Sequence, residues 1–182
     1  MLSYQNAAMS MILVTPLSAV PDCIRSYRPS HLVTLLSPEY MIETPDGIAS
    51  ERHLRLSLND IADPALGAAP PGARHVAQLI AFGREWDGAE PMLVHCWAGV
   101  SRSMAAAFTL LCDRAGPGAE HDIAQEIRAR ASHAQPNRLL VRLADQSLDR
   151  GGRMVRAVEA MGPGRLVDEG IPVELPLTIS GL

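Results

Sequence analysis

Ten residues near the middle of the chain, Val94-His95-Cys96-Trp97-Ala98-Gly99-Val100-Ser101-Arg102-Ser103, place a nucleophile close to a cation. Cys96 precedes Arg102 by six residues, with Gly99 between them and a serine on each side of the arginine. Apolar Pro91-Met92-Leu93-Val94 leads in and Met104-Ala105-Ala106-Ala107-Phe108 leads out, so the order is strand, tight loop, helix. A loop over a helix N-terminus turns successive backbone N–H groups inward. With the helix dipole they form a pocket for a doubly charged tetrahedral anion. The same field favours an ionised thiol, so Cys96 is expected to react as a thiolate. Arg102 closes the ring with a planar fork that can hold two phosphoryl oxygens at once, which lysine cannot do. Trp97, Ala98, Gly99, Val100 and Ser101 supply the phosphate-binding backbone. The chemistry is thiolate attack on a phosphate monoester. A bare Cys-x5-Arg would equally suit a core cysteine before an ordinary helix; the longer string in its strand–loop–helix setting is far more demanding.

A departing ester oxygen needs a proton, usually from a carboxylic acid. Asp60 and Asp63 offer one, in the loop Asn59-Asp60-Ile61-Ala62-Asp63-Pro64. An aspartate before proline is often a turn former, which weighs against Asp63. Ser103 either donates to the cysteine sulfur or caps the helix. His95 is either a base or a core residue. Asn137 precedes a helical pattern and suits a cap.

At these positions the chain resembles the cysteine-dependent protein tyrosine phosphatases, in their compact dual-specificity branch. His95, Cys96, Gly99, Arg102 and Ser103 each match that family's signature loop. Pro136-Asn137-Arg138-Leu139-Leu140-Val141-Arg142-Leu143 is similar to the family's Pro-Asn, two apolar residues and leucine that open a late helix, with Arg142 where glutamine is usual. The resemblance spans Met11 to Leu148, and the layout is similar to small bacterial predicted phosphatases. It implies a single small sheet flanked by helices, an α/β fold. It also implies metal-independent hydrolysis through a phosphocysteine, without a cofactor. Asp60 falls at the general-acid position. His95 would hydrogen-bond the loop and favour the thiolate, Ser103 would help the sulfur leave phosphocysteine, and Asn137 would brace the loop. Phosphoinositide-directed relatives carry lysines at the inner loop positions. Trp97, Ala98 and Val100 are apolar, which favours phosphotyrosine or another singly phosphorylated ester. A phosphatase of small metabolites, nucleotides or lipids is the enzymatic rival, and a silent module binding phosphorylated partners is the rival of another class.

The elements that must position these groups follow from pattern. At 182 residues the chain fits one domain. Residues 1–10 read as a disordered extension with Met9 and Met11 as alternative starts, 11–161 as the phosphatase domain, and 162–182 as a tail packing on it. Strands are expected at Met11–Pro16, His31–Leu36, Arg52–Leu58, Met92–Val94 and Ile171–Leu175. Helices are expected at Ala19–Tyr27, Ala73–Trp86, Ser101–Arg114, Glu120–Ala131, Arg138–Asp149 and Arg153–Met161. Lysine is absent and all sixteen basic residues are arginine, which with the abundant alanine points to a GC-rich, bacterial genome. A net charge of −4 argues against nucleic acid. No apolar run reaches membrane-spanning length, and the opening Met1–Asn6 lacks the basic residues of a signal peptide. Cys23, Cys96 and Cys112 are too few for a disulfide framework, so a reducing cytoplasm is expected. Cys112 reads as core, and pairing of Cys23 with Cys96 is left open. His31, His53, His75, His121 and His133 show no metal-ligand pattern.

Overall fold

The strands MILVTP, HLVTLL and MLVHC are near-continuous apolar runs, the signature of parallel strands covered on both faces. The computed structural model, which describes residues 11–178, places them at the centre of one sheet. The expected extension at 1–10 lies outside the described residues, as do 179–182. In chain order the elements are β1 (Met11–Pro16), α1 (Val20–Tyr27), β2 (His31–Leu36), β3 (His53–Ser57), α2 (Ala73–Glu85), β4 (Met92–Cys96), α3 (Arg102–Ala115), α4 (Glu120–Arg130), α5 (Arg138–Ser147), α6 (Arg153–Met161) and β5 (Val173–Pro176).

The sheet order is β3-β2-β4-β1-β5. The first four are mutually parallel, and β5 runs antiparallel along β1. Every parallel strand therefore ends at the same edge, and the loops after β1, β2, β3 and β4 all open there. Such carboxyl edges are where open α/β sheets bind ligands.

Side chains alternate between faces. Leu13, Leu32 and Leu93 pack with Val20, Cys23 and Ile24 of α1 on one side. Ile12, Val14, Val33, Leu35, Met92 and Val94 meet the helices α2 to α6 on the other. There α3 is buried from Arg102 through Cys112, and its Ala105–Ala107 run presents only methyl groups to the packed interior. Cys96 belongs to the helical cluster and Cys23 to the α1 cluster, so they sit in separate cores, and all three cysteines are free. Burial pushes the Cys112 thiol well up, which keeps it inert.

Element boundaries differ from the sequence reading in a few places. β4 continues through His95 to Cys96, because the polar imidazole is wholly buried and hydrogen-bonded rather than marking a strand end. α5 stops at Ser147, and the Asp145 carboxylate accepts from the backbone N–H groups of Gly152 and Met154, tying α5 to the start of α6. The last strand starts two residues late, at Val173, with Ile171 left exposed.

Candidate active site

β4 delivers Cys96 to the carboxyl edge, almost fully buried, and α3 begins at Arg102. The Cys96 Sγ lies 3.1 Å from Ser103 Oγ. A thiolate at this position would accept from that hydroxyl. The structure puts Ser101 at the helix N-cap, without a side-chain cap bond, so the geometry gives Ser103 the sulfur contact and not the capping one.

The loop between them is held open from outside. The Trp97 carbonyl accepts from Leu17 N–H at 3.1 Å, that of Ala98 from Gly170 at 2.8 Å, and that of Val100 from Gln135 at 2.9 Å. The Ser101 carbonyl accepts from Asn137 at 3.3 Å. A trans peptide points its N–H opposite to its C=O, so these tethers aim the next residue's N–H away from them. None of the backbone N–H groups of Trp97, Ala98, Gly99, Val100 or Ser101 has a protein acceptor among the described residues. Unpaired N–H groups turned inward at a helix N-terminus constitute an anion cradle. Gly99 has φ +71°, and a Cβ there would sit 2.7 Å from the Pro16 nitrogen, so the close approach of loop to β1 requires glycine. Gly170 also comes close: a Cβ there would lie 2.6 Å from the tip of the His133 ring and 3.2 Å from the Ala98 carbonyl.

Arg102 is 5% exposed. Its Nη1 donates to the Leu58 carbonyl at 2.9 Å, which fixes the guanidinium, while its buried Nε has no hydrogen-bond partner. A buried, unpaired donor is costly unless something accepts from it. The nearest carboxylate oxygen is Asp60 Oδ2, at 3.8 Å.

Asp60 stands at the exposed mouth. Its Oδ1 accepts from Ser101 Oγ at 2.7 Å and from Asn137 Nδ2 at 2.8 Å. Asp63 is turned to local work: its carboxylate accepts from Ala65 N–H at 3.0 Å and caps the short turn Pro64–Leu66. Asn137 holds both of its candidate roles. Its Oδ1 caps α5 at Leu140 N–H, and its Nδ2 and backbone N–H join the acid loop to the phosphate loop.

His95 is wholly buried and cannot be a direct base. Its Nδ1 lies 3.3 Å from the Cys96 carbonyl, and Nε2 2.7 Å from Thr34 Oγ1. Burial lowers its pKa to about 4, with the bond to the Cys96 carbonyl opposing the shift. His53 is likewise lowered to about 4, first by burial and then by Arg55. In an unfolded chain both rings titrate near 6.5. Between pH 6.5 and 4 the unfolded chain therefore binds more protons, and stability falls as pH is lowered. Tm measured from pH 7 to 4.5 should drop, and His53→Gln should remove part of the drop.

The side chain of Trp97 does not line the inside of the loop. It is 51% exposed and packs against Tyr40, 54% exposed, with ring centroids 5.0 Å apart. Tyr40 lies in the turn after β2 and carries no sequence signal of its own. The Leu58 carbonyl and Gly170 were equally invisible, since backbone contacts from distant segments leave no motif. Among the described residues no cluster of His, Cys, Asp and Glu could hold a metal ion, and no helix is long and apolar enough to cross a membrane.

No protein-family model matches the sequence, and no curated protein matches it. Solved structures do. DUSP15 aligns over 81% of this chain and 90% of its own, at 18% identity and TM-score 0.58. The human tyrosine phosphatase-like serine/threonine/tyrosine-interacting protein aligns over 77% and 92%, at 18% identity and TM-score 0.56. PTPMT1 in complex with PI(5)P aligns over 84% and 97%, at 16% identity and TM-score 0.54. The fold is thus an α/β, dual-specificity-phosphatase-like fold. Two of these neighbours have the names of phosphatases or their complexes and one that of an interacting protein, so the fold alone does not decide between catalysis and binding. The side chains must decide it.

Proposed function

We propose that the chain is a metal-independent, cysteine-dependent phosphate-monoester hydrolase of the tyrosine and dual-specificity type. One observation carries the reading. The Cys96 sulfur, the unpartnered Nε of buried Arg102 and, 3.8 Å from that Nε, the Asp60 carboxylate are gathered around one loop whose N–H groups have no protein acceptor among the described residues. The phosphoryl group docks on the loop amides and Arg102. The Cys96 thiolate attacks phosphorus and the P–O bond to the leaving group breaks, while Asp60 gives its proton to the departing oxygen. Water then attacks the phosphocysteine, Asp60 takes the water proton, and phosphate leaves as the thiolate re-forms. Ser103 stabilises that thiolate as a hydrogen-bond donor. A module kept only for binding would have no need of an acid, a nucleophile and a hydroxyl on its sulfur.

The substrate is a singly phosphorylated aryl ester, phosphotyrosine of a protein. The exposed Trp97–Tyr40 pair flanks the loop one residue from Cys96 and offers two aromatic faces to a substrate ring. The inner loop residues Ala98 and Val100 bring no cation for additional phosphates. A thiolate nucleophile suits the reducing cytoplasm. Turnover of p-nitrophenyl phosphate separates an enzyme from a binder. A panel of phosphotyrosine and phosphoserine peptides, nucleotides, sugar phosphates and PI(5)P then sorts the substrate. Phosphotyrosine peptide should lead, and Trp97→Ala with Tyr40→Ala should lower its kcat/KM by about tenfold, from the loss of one aromatic contact pair of about 1 kcal/mol and the apolar area it covers. Phosphoserine peptides should lose much less. Preference for a small metabolite or a lipid, unchanged in that double variant, would replace the phosphotyrosine assignment.

A further inference from the structure

The carbonyl that ends β4 and opens the phosphate loop, that of Cys96, is met by a side chain. His95 Nδ1 lies 3.3 Å from it, His95 Nε2 lies 2.7 Å from Thr34 Oγ1, and Thr34 Oγ1 lies 2.8 Å from His53 Nε2. His53 Nδ1 lies in turn 2.9 Å from Thr44 Oγ1. Four side chains thus make one unbroken line across three strands. The register explains it. Thr34 on β2 aligns with His95 on β4, and His53 opens β3 two positions along, opposite Leu32. All of these side chains share the face of the sheet that α1 covers. Thr34 and His95 are fully buried, and His53 and Thr44 are partly exposed.

Proton positions along the line are determined by chemistry. A neutral imidazole has one N–H and one acceptor nitrogen. A carbonyl only accepts, so His95 carries its proton on Nδ1 and accepts at Nε2. Thr34 has a single O–H and must give it to His95, which leaves its lone pairs for an N–H from His53 Nε2. His53 Nδ1 is then an acceptor, and the Thr44 hydroxyl supplies its proton. One arrangement satisfies all four contacts, and each bond polarises the next.

We propose that Thr34 and His53 are positioning residues for the phosphate loop. By locking the His95 tautomer they hold its Nδ1–H on the Cys96 carbonyl. The trans peptide that follows then points the Trp97 N–H to the opposite side, into the anion cradle. Leu17, Gly170, Gln135 and Asn137 tether later peptides with backbone donors; at Cys96, where β4 still pairs with β1 at Pro16, this side-chain line adds a hold on the first peptide. The effect on turnover rests on the phosphatase reading, while the tautomer rests on the geometry alone.

Thr34→Val tests it, because valine keeps the shape and strand preference of threonine and removes the hydroxyl that serves both histidines. Long-range proton–nitrogen NMR of the imidazoles should show His95 protonated at Nδ1 and His53 at Nε2 in the native protein. In Thr34→Val the Nε2 of His95 loses its donor, the tautomer is held by the Cys96 carbonyl alone, and the second tautomer should become detectable. Turnover of p-nitrophenyl phosphate should fall about tenfold, carried mainly by kcat, since the Trp97 N–H counts most when charge builds on the phosphoryl oxygens. Thr34→Ser restores the hydroxyl and should recover most of the rate and the native spectrum. If Thr34→Val does not fold, Thr34→Ala, which also removes the hydroxyl, gives the same two readouts. A folded Thr34→Val protein with the native His95 tautomer and kcat within about twofold of native would overturn the proposal. Equal impairment of Thr34→Ser would also overturn it, because packing of the threonine methyl would then be the cause. A native protein without phosphatase activity would remove the proposed function but leave the tautomer test intact.

Discussion

Cys96→Ser should abolish turnover, by at least about 10³-fold, while leaving phosphotyrosine peptide binding in place. The substitution exchanges sulfur for oxygen at a buried position 3.1 Å from Ser103 Oγ, so it changes little in shape. It changes the chemistry completely. A serine hydroxyl is a weak nucleophile without a base to take its proton, and none touches this position: His95 is engaged at both nitrogens with the Cys96 carbonyl and Thr34, and Asp60 is held at the mouth by Ser101 and Asn137. The binding apparatus stays, because the loop amides and Arg102 Nε are fixed by tethers that do not involve the sulfur. Single-turnover assays and a peptide titration on the same preparation separate the two effects. In the native protein vanadate, which mimics the transferring phosphoryl group, should inhibit turnover, and EDTA should not. Near-native turnover in Cys96→Ser would remove Cys96 from its role, and loss of both binding and turnover would mean that the loop itself had collapsed.

What could be read from the sequence divides along a physical line. The loop between Cys96 and Arg102 was legible because its residues are contiguous, so spacing alone fixes their order along the strand–loop–helix turn. Three of the four parallel strands, β1, β2 and β4, were legible because burial on both faces leaves nearly uninterrupted apolar runs, and β3 because its residues alternate. The face of α2 followed from the periodicity of Val76, Leu79 and Ile80. Groups brought together by topology were not legible. Thr34 meets His53 and His95 only because β2 pairs between β3 and β4, and Tyr40 meets Trp97 and Gly170 meets Ala98 only because four parallel strands end at one edge and the chain returns over it. A buried polar residue misled the boundary of β4, since His95 breaks an apolar run that the sheet itself does not break. Glu120 is similar: it looks like a surface charge opening α4, yet it is buried and paired with Arg150 and Arg153, whose sequence distance hides the pairing.

The acid is the residue on which sequence and geometry can be set against each other most directly, and Asp60→Asn should be the second large effect. Asp60 and Asp63 are three residues apart on one loop, so motif spacing separates them poorly. Their surroundings separate them well. Asp60 reaches the phosphate loop through Ser101 and lies 3.8 Å from Arg102 Nε, while Asp63 accepts from the N–H of Ala65 in its own turn. If Asp60 protonates the departing oxygen, Asp60→Asn should slow hydrolysis of esters with poor leaving groups by roughly 10²–10⁴-fold, the span of general acid catalysis. Asparagine is nearly isosteric, so its amide can keep one contact to Ser101 or Asn137 and the loop should hold. Aryl phosphates with very acidic leaving groups depart without a proton and should lose far less rate. The slope of log kcat against leaving-group pKa should therefore steepen in Asp60→Asn and stay native in Asp63→Asn, whose cost should appear in Tm through the lost cap. The opposite pattern, a steeper slope for Asp63→Asn alone, would transfer the acid to Asp63 and require the acid loop to rearrange when substrate binds. Cys96 and Arg102 would keep their assignments in either case, because their evidence lies in the loop and not in the acid.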